Sequence, residues 1–136
     1  MIYALDTNTI SYILRNAKGV KQRWRQEESA GNRSVIPLAV YYEIQRGLLA
    51  NDSTNLMRSF EELCEVFGTN DLTKDDMNTA AVIYADRKGK GKSTGDTDLL
   101  IAAQCITHGY TLVTNNTKHF DGIDGLNIVD WAANAL

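Results

Sequence analysis

Short apolar runs alternate with longer stretches of helical spacing along the chain. Ile2 to Leu5 is an apolar run stopped by Asp6, and Thr9 to Leu14 has helical character, so the chain opens strand, turn, helix. A basic helical stretch follows with Lys18, Lys21, Arg23 and Arg25; Gly31-Asn32 then marks a turn and Ser34 to Ile36 a second strand. Pro37 suits the first turn of a helix over Leu38 to Leu49. Leu56, Phe60, Leu63 and Phe67 form one stripe of a further helix, with Glu61, Glu62 and Glu65 on its solvent face. Cys64 to Phe67 is expected to cross from that helix into a third strand, before a polar turn at Gly68 to Asp71. Thr73 and Asp76 have capping-box spacing for a helix through Ala80, Ala81, Ile83 and Tyr84 that runs out near Gly89. Residues 88–95 read as a basic, flexible loop. Asp96 is placed to cap a largely buried helix bearing Leu99, Leu100, Ala102, Ala103 and Ile106, which Gly109 ends. Thr111 to Thr114 and Leu126 to Val129 complete the strands.

This alternation predicts an α/β fold with a central parallel sheet of about four to five strands and helices on both faces. A chain of 136 residues that is 43% hydrophobic can form one domain, residues 1–136, with a core that needs neither disulfide nor structural metal. Cys64 and Cys105 stand far apart without a second thiol near either, and both are expected to fill core space. No segment has the character of a secretion signal or membrane span, so the expected compartment is the cytoplasm.

Ligands of parallel α/β sheets bind outside the carboxyl ends of the strands, so residues just past strands weigh most. Several chemistries drop out there. His108 and His119 lack partners at zinc-site spacing, and Gly91-Lys92-Ser93 has Asp86 where a phosphate-binding loop needs its first glycine. Neither a serine-hydrolase elbow nor a dinucleotide fingerprint occurs. What remains is acidic: Asp6 after the first strand, Glu43 in the helix after the second, and Asp96 and Asp98 opening the helix before the fourth, with Asn116 beyond that strand. Each has an ordinary alternative: capping for Asp6 and Asp96, the helix dipole for Asp98, a pair with Arg46 for Glu43, and a turn for Asn116. Gathered at one rim, the carboxylates would repel one another, and a hard cation such as Mg²⁺ with oxygen ligands is the expected compensation.

The blocks Leu5-Asp6-Thr7-Asn8, Glu43, Gly95 through Ala103, Leu112 through Asn116 with Phe120, and Asp130-Trp131 together resemble the PIN-domain ribonucleases, and among them the VapC-type toxins. The resemblance spans almost the whole chain. It implies a PIN-domain fold and Mg²⁺- or Mn²⁺-dependent endonucleolytic cleavage of RNA (tRNA, rRNA or mRNA) as the toxin of a type II toxin–antitoxin pair. It also implies a cognate VapB-like antitoxin and a homodimer. Carried over residue by residue, it makes Asp6, Glu43 and Asp98 the catalytic, metal-holding acids. Asn116 departs from a fourth acidic position, and Asp96 is expected to supply part of that charge. Thr7, Asn8, Thr114 and Asn116 are expected to orient carboxylates or donate to phosphate oxygens.

Two rivals use similar residues. A phosphoacceptor signalling domain needs paired acids near the first strand and an Asp directly ending the third, and Asp6 has no acidic neighbour. A non-cleaving PIN-like RNA-binding module is suggested by Asn116 but disfavoured by Asp6, Glu43 and Asp98.

Charge adds one correction. The net charge of −3 and pI near 5.3 speak against a nucleic-acid partner only if charge is spread evenly. Residues 15–33 carry six basic groups against two acidic, and 87–92 carry four against none. The four candidate site acids more than account for the deficit. Arg87, Lys88, Lys90 and Lys92 are therefore expected to track RNA phosphates beside Asp98. Trp24, Tyr41, Tyr42 and Leu48 are candidate partner contacts if exposed.

Overall fold

In the computed structural model, which describes residues 1–132, the apolar run at the start of the chain becomes the middle of the sheet. Strand β1 (Ile2–Leu5) pairs in parallel with β2 (Arg33–Pro37) on one side and β4 (Thr111–Val113) on the other. Strands β3 (Thr69–Asn70) and β5 (Asn127–Val129) add at the edges, also parallel, giving the order β3-β2-β1-β4-β5. A strand covered on both sides is unbroken in its hydrophobicity, as Tyr3, Ala4 and Leu5 are. With every strand running the same way, their carboxyl ends share one rim.

Seven helices flank the sheet among the described residues: α1 (Thr7–Leu14), α2 (Val20–Ser29), α3 (Leu38–Ala50), α4 (Thr54–Phe67), α5 (Lys74–Gly89), α6 (Asp96–His108) and α7 (Thr117–Phe120). Aromatic pairs tie helices and sheet to one core: Trp24 meets Phe67 edge-on at 4.8 Å and Tyr41 lies on Phe60 at 5.6 Å between helices, and Tyr3 of β1 meets Trp131 at 5.2 Å. The Thr73–Asp76 capping box is present at the start of α5. Asp76 is fully buried there and also accepts from the Thr107 hydroxyl, with His108 Nε2 3.7 Å away. Burial pushes its pKa up, but the hydrogen bonds from Thr107 and Thr73 and the nearby His108 outweigh that and hold it below the usual carboxylate range.

The structure corrects the sequence reading in four places. Cys64 to Phe67 stays helical, because the apolar stripe of α4 runs through to buried Phe67 before Gly68 (φ 75°) releases the chain; the third strand is the polar pair Thr69–Asn70. An edge strand of two residues needs no apolar run, so it left no signal. Pro37 ends β2 and caps α3 from outside rather than entering its first turn. Asp96 is the first residue inside α6, and Gly95 occupies the cap without a side-chain bond. Finally, α5 buries Asp76, Ala80, Ile83 and Arg87 and turns Ala81 and Tyr84 outward, and it carries Arg87 and Lys88 in its last turn. Cys105 is buried but Cys64 only partly so.

Candidate active site

Asp6 is the residue at which β1 gives way to α1. Its extended backbone makes it the N-cap, its Oδ1 accepting from the Thr7 amide at 2.8 Å, while its own amide donates to the Val113 carbonyl of β4 at 2.9 Å. The other oxygen, Oδ2, accepts from the Thr114 hydroxyl at 2.7 Å. Thr114, the first residue past β4, is completely buried, and Asp6 is 4% exposed. Capping and site roles are thus compatible: the cap fixes one oxygen and the neighbouring strand end fixes the other.

Thr7 then joins Asp6 to Glu43. Its hydroxyl donates to Glu43 Oε1, and half-buried Glu43 places Oε2 3.8 Å from Nη2 of exposed Arg46, a pair of little energetic weight. Asp98 stands in the first turn of α6, half-buried, with His119 Nδ1 3.5 Å from its Oδ2. The three acids feel one another. Burial raises the Asp6 pKa above the usual range against the Thr114 and Thr7 hydrogen bonds, and the charges of Asp98 and Glu43 raise it further. Burial likewise raises Asp98, Glu43 adds to it, and His119 opposes both.

Such a donor set suits a hard divalent cation. The oxygens are anionic, they destabilise one another as charges, and His119 is the one basic side chain paired with Asp6 or Asp98 among the described residues. No three His, Cys, Asp or Glu side chains among those residues are grouped closely enough to hold a metal ion by themselves. Mg²⁺ does not need three protein ligands, since one or two carboxylates hold it and water and phosphate oxygens complete its shell.

The remaining candidates divide. Thr7 and Thr114 bond directly to acids. Asn8 does not: its Oδ1 accepts from the Asn115 amide at 3.3 Å, fastening the loop after β4 to α1. Asn116 is exposed and reaches the site through its backbone, its amide donating to Thr114 Oγ1 at 3.0 Å. Asp96 is exposed, and its charge is not among those acting on Asp6 or Asp98, so the structure does not bring it into the acid cluster. Arg87 is not free to track phosphates: at 5% exposure its guanidinium is spent on Thr94 Oγ1 and the carbonyls of Asp121 and His119. Lys90 pairs with Asp86 at 3.0 Å and Lys88 lies over Tyr84, leaving Lys92 beside Asp98. Lys118 and His119, five and six residues past β4, were not among the expected site residues, His119 having been weighed only for zinc-site spacing. Of the possible partner contacts, Tyr42 is exposed while Trp24, Tyr41 and Leu48 are half-buried.

Moving the third strand to Thr69–Asn70 puts Asp71 directly after it, the position a phosphoacceptor would use. That strand is at the sheet edge, however, Asp71 is exposed, and its charge does not act on Asp6. The PIN domain family matches residues 3–126 of the chain, which takes in β1 through the loop before β5. The chain belongs to the PIN domain family. A ribonuclease VapC1 of Methanocaldococcus jannaschii is 32% identical over 108 residues, covering 78% of this chain and 76% of the relative. A tRNA(fMet)-specific endonuclease VapC of Salmonella typhimurium is 28% identical over 136 residues, covering 95% and 97%. Among solved structures, VapBC2 from Rickettsia felis, bound to a DNA fragment from its promoter, matches with a TM-score of 0.89 at 26% identity over 96% of this chain and 99% of that one. The five-stranded parallel sheet and flanking helices are thus the PIN-domain α/β fold, with the acids at its strand-end rim.

Proposed function

We propose that this PIN-domain protein is a divalent-metal-dependent endoribonuclease, the toxin of a type II toxin–antitoxin pair. One observation carries the reading: Asp6, Glu43 and Asp98, from three separate segments, converge electrostatically at the strand-end rim, with Thr7 and Thr114 holding two of them in place. Asp6 and Asp98 are the residues that would hold Mg²⁺ or Mn²⁺. Glu43 would hold a second ion or orient the attacking water. When bound, such an ion lowers the pKa of water and offsets the negative charge that develops on the phosphate. The chain's own contribution is positional. Thr114 and the Thr7 amide fix the plane of the Asp6 carboxylate, and the Thr7 hydroxyl restrains Glu43. Because burial and mutual repulsion favour the protonated acids, activity should fall as the medium becomes acidic.

RNA as substrate and a VapB-like antitoxin as partner are supported by relatives named as ribonucleases and solved within VapBC complexes, and the Salmonella relative makes transfer RNA the first substrate to try. A homodimer and a single domain over 1–136 complete the proposal. The test is RNA cleavage with Mg²⁺ or Mn²⁺ against EDTA, for wild type and Asp98→Asn. The variant should lose at least about 100-fold in rate. A folded Asp98→Asn protein that cleaves as fast as wild type refutes the assignment.

A further inference from the structure

Buried cations are normally paired with anions, because carbonyl oxygens satisfy N–H groups without cancelling the charge. Arg87, 5% exposed, breaks that habit. Its Nε donates to Thr94 Oγ1, its Nη1 to Asp121 O at 2.9 Å and its Nη2 to His119 O at 3.2 Å, all neutral oxygens. None of the ion pairs among the described residues includes it. Those three bonds also tie the segment before α6 to α7 and the residue after it, fixing opposite walls of a cleft of about 360 Å³. Lys92 and Lys118 line the cleft with Arg87, and Lys92 Nζ lies over Gly122, 3.4 Å from where a Cβ would stand. Asp98 and Asp121 are its acids, and Asp98 is already committed to the acid cluster, to which the His119 contact at 3.5 Å joins the cleft.

We propose that this cleft seats one backbone phosphodiester of the RNA strand, next to the one that is cleaved, between Lys92 and Lys118 and above the uncompensated charge of Arg87. The inference rests on the endoribonuclease reading but narrows it: Arg87 is a positioning residue that shapes the cleft, and the phosphate contacts come from Lys92, which the sequence suggested, and Lys118, which it did not. Lys88 and Lys90, engaged with Tyr84 and Asp86, lie outside it.

The test uses the full chain and a fluorophore-labelled single-stranded RNA of mixed sequence, with binding measured in EDTA so that cleavage does not enter. Lys92→Gln/Lys118→Gln should bind about 10-fold more weakly at low salt, with the slope of log affinity against log salt reduced by about 0.7, the value for one phosphate of a single strand. Both lysines are exposed, so an unchanged urea midpoint confirms folding. A second arm walks one neutral methylphosphonate linkage along the RNA. At one position it should cost wild type about 10-fold and the double variant nothing. An unaltered salt slope, or identical methylphosphonate penalties in both proteins at every position, overturns the proposal. The two readings fail separately: binding as described without metal-dependent cleavage sinks the nuclease and keeps the cleft, whereas cleavage with unaltered variant binding does the reverse.

Discussion

Thr114→Val replaces one hydroxyl by a methyl of nearly equal size at a completely buried position, so its effect isolates two hydrogen bonds. The bond to Asp6, at 2.7 Å, ends on a buried charged acceptor and is worth about 1.5–3 kcal/mol. The Asn116 amide loses its acceptor as well, adding about 1 kcal/mol. A total near 3 kcal/mol, with about 2.1 cal/mol/K of unfolding entropy for each of 136 residues, lowers Tm by about 10 °C. The pH dependence has a definite sign. The Asp6 pKa already lies above the ordinary range, mainly through burial, and the Thr114 hydroxyl restrains it; without that hydroxyl it rises further. The folded variant therefore takes up a proton at higher pH than folded wild type, and the stability gap is full at neutral pH and narrows as pH falls through these folded-state values. Urea unfolding in EDTA at neutral and mildly acidic pH reads it, with Thr114→Ser restoring the hydroxyl. A neutral-pH gap under about 0.5 kcal/mol, or a gap that widens on acidification, refutes the reasoning.

Three further outcomes follow from the same geometry. Mg²⁺ or Mn²⁺ at 100 times its Kd should stabilise wild type by about 2.7 kcal/mol in a thermal melt and leave Asp6→Asn/Asp98→Asn unmoved; equal stabilisation of both proteins would place the ion elsewhere. Asp96→Asn should keep cleavage within about 3-fold of wild type, since the residue is exposed and uncoupled from the other acids; a loss as large as that of Asp98→Asn would return it to the metal site. Asp76→Ala should cost about 3 kcal/mol by urea unfolding at neutral pH, because Thr107 and the Thr73 amide lose a buried acceptor. Asp76 has a depressed folded-state pKa, so its stabilisation is present above the unfolded carboxylate value and is lost as pH falls toward the folded one; a deficit that instead grows with acidification contradicts the network.

The alternation of strand and helix was legible because central strands and packed helices must be apolar in characteristic periods, and β1, β2, β4 and most helices follow them. Strand β3 was not, since a two-residue edge pairing asks nothing of its side chains. Asp6, Glu43 and Asp98 stood out as acids near strand ends or in apolar surroundings, and their order matched a family pattern. Their burial and mutual charge could only come from the folded chain. Arg87 was misjudged for a related reason: composition marks a basic run, whereas helical phase decides that Arg87 turns inward while Lys88 and Lys90 turn out. His119 was passed over because a lone histidine has no spacing to announce it.

The central place of β1 also sets a timetable for a chain leaving the ribosome. Strand β1 finds β2 early, with Ile2 opposite Arg33, but its other edge and the hydroxyl that fixes Asp6 wait for β4 and Thr114, 108 residues beyond that acid. Such long-range closure is slow. A nascent chain therefore carries Asp6 long before it carries the hydroxyl that fixes one of its carboxylate oxygens, and the buried setting of that acid forms only once β4 has joined the sheet.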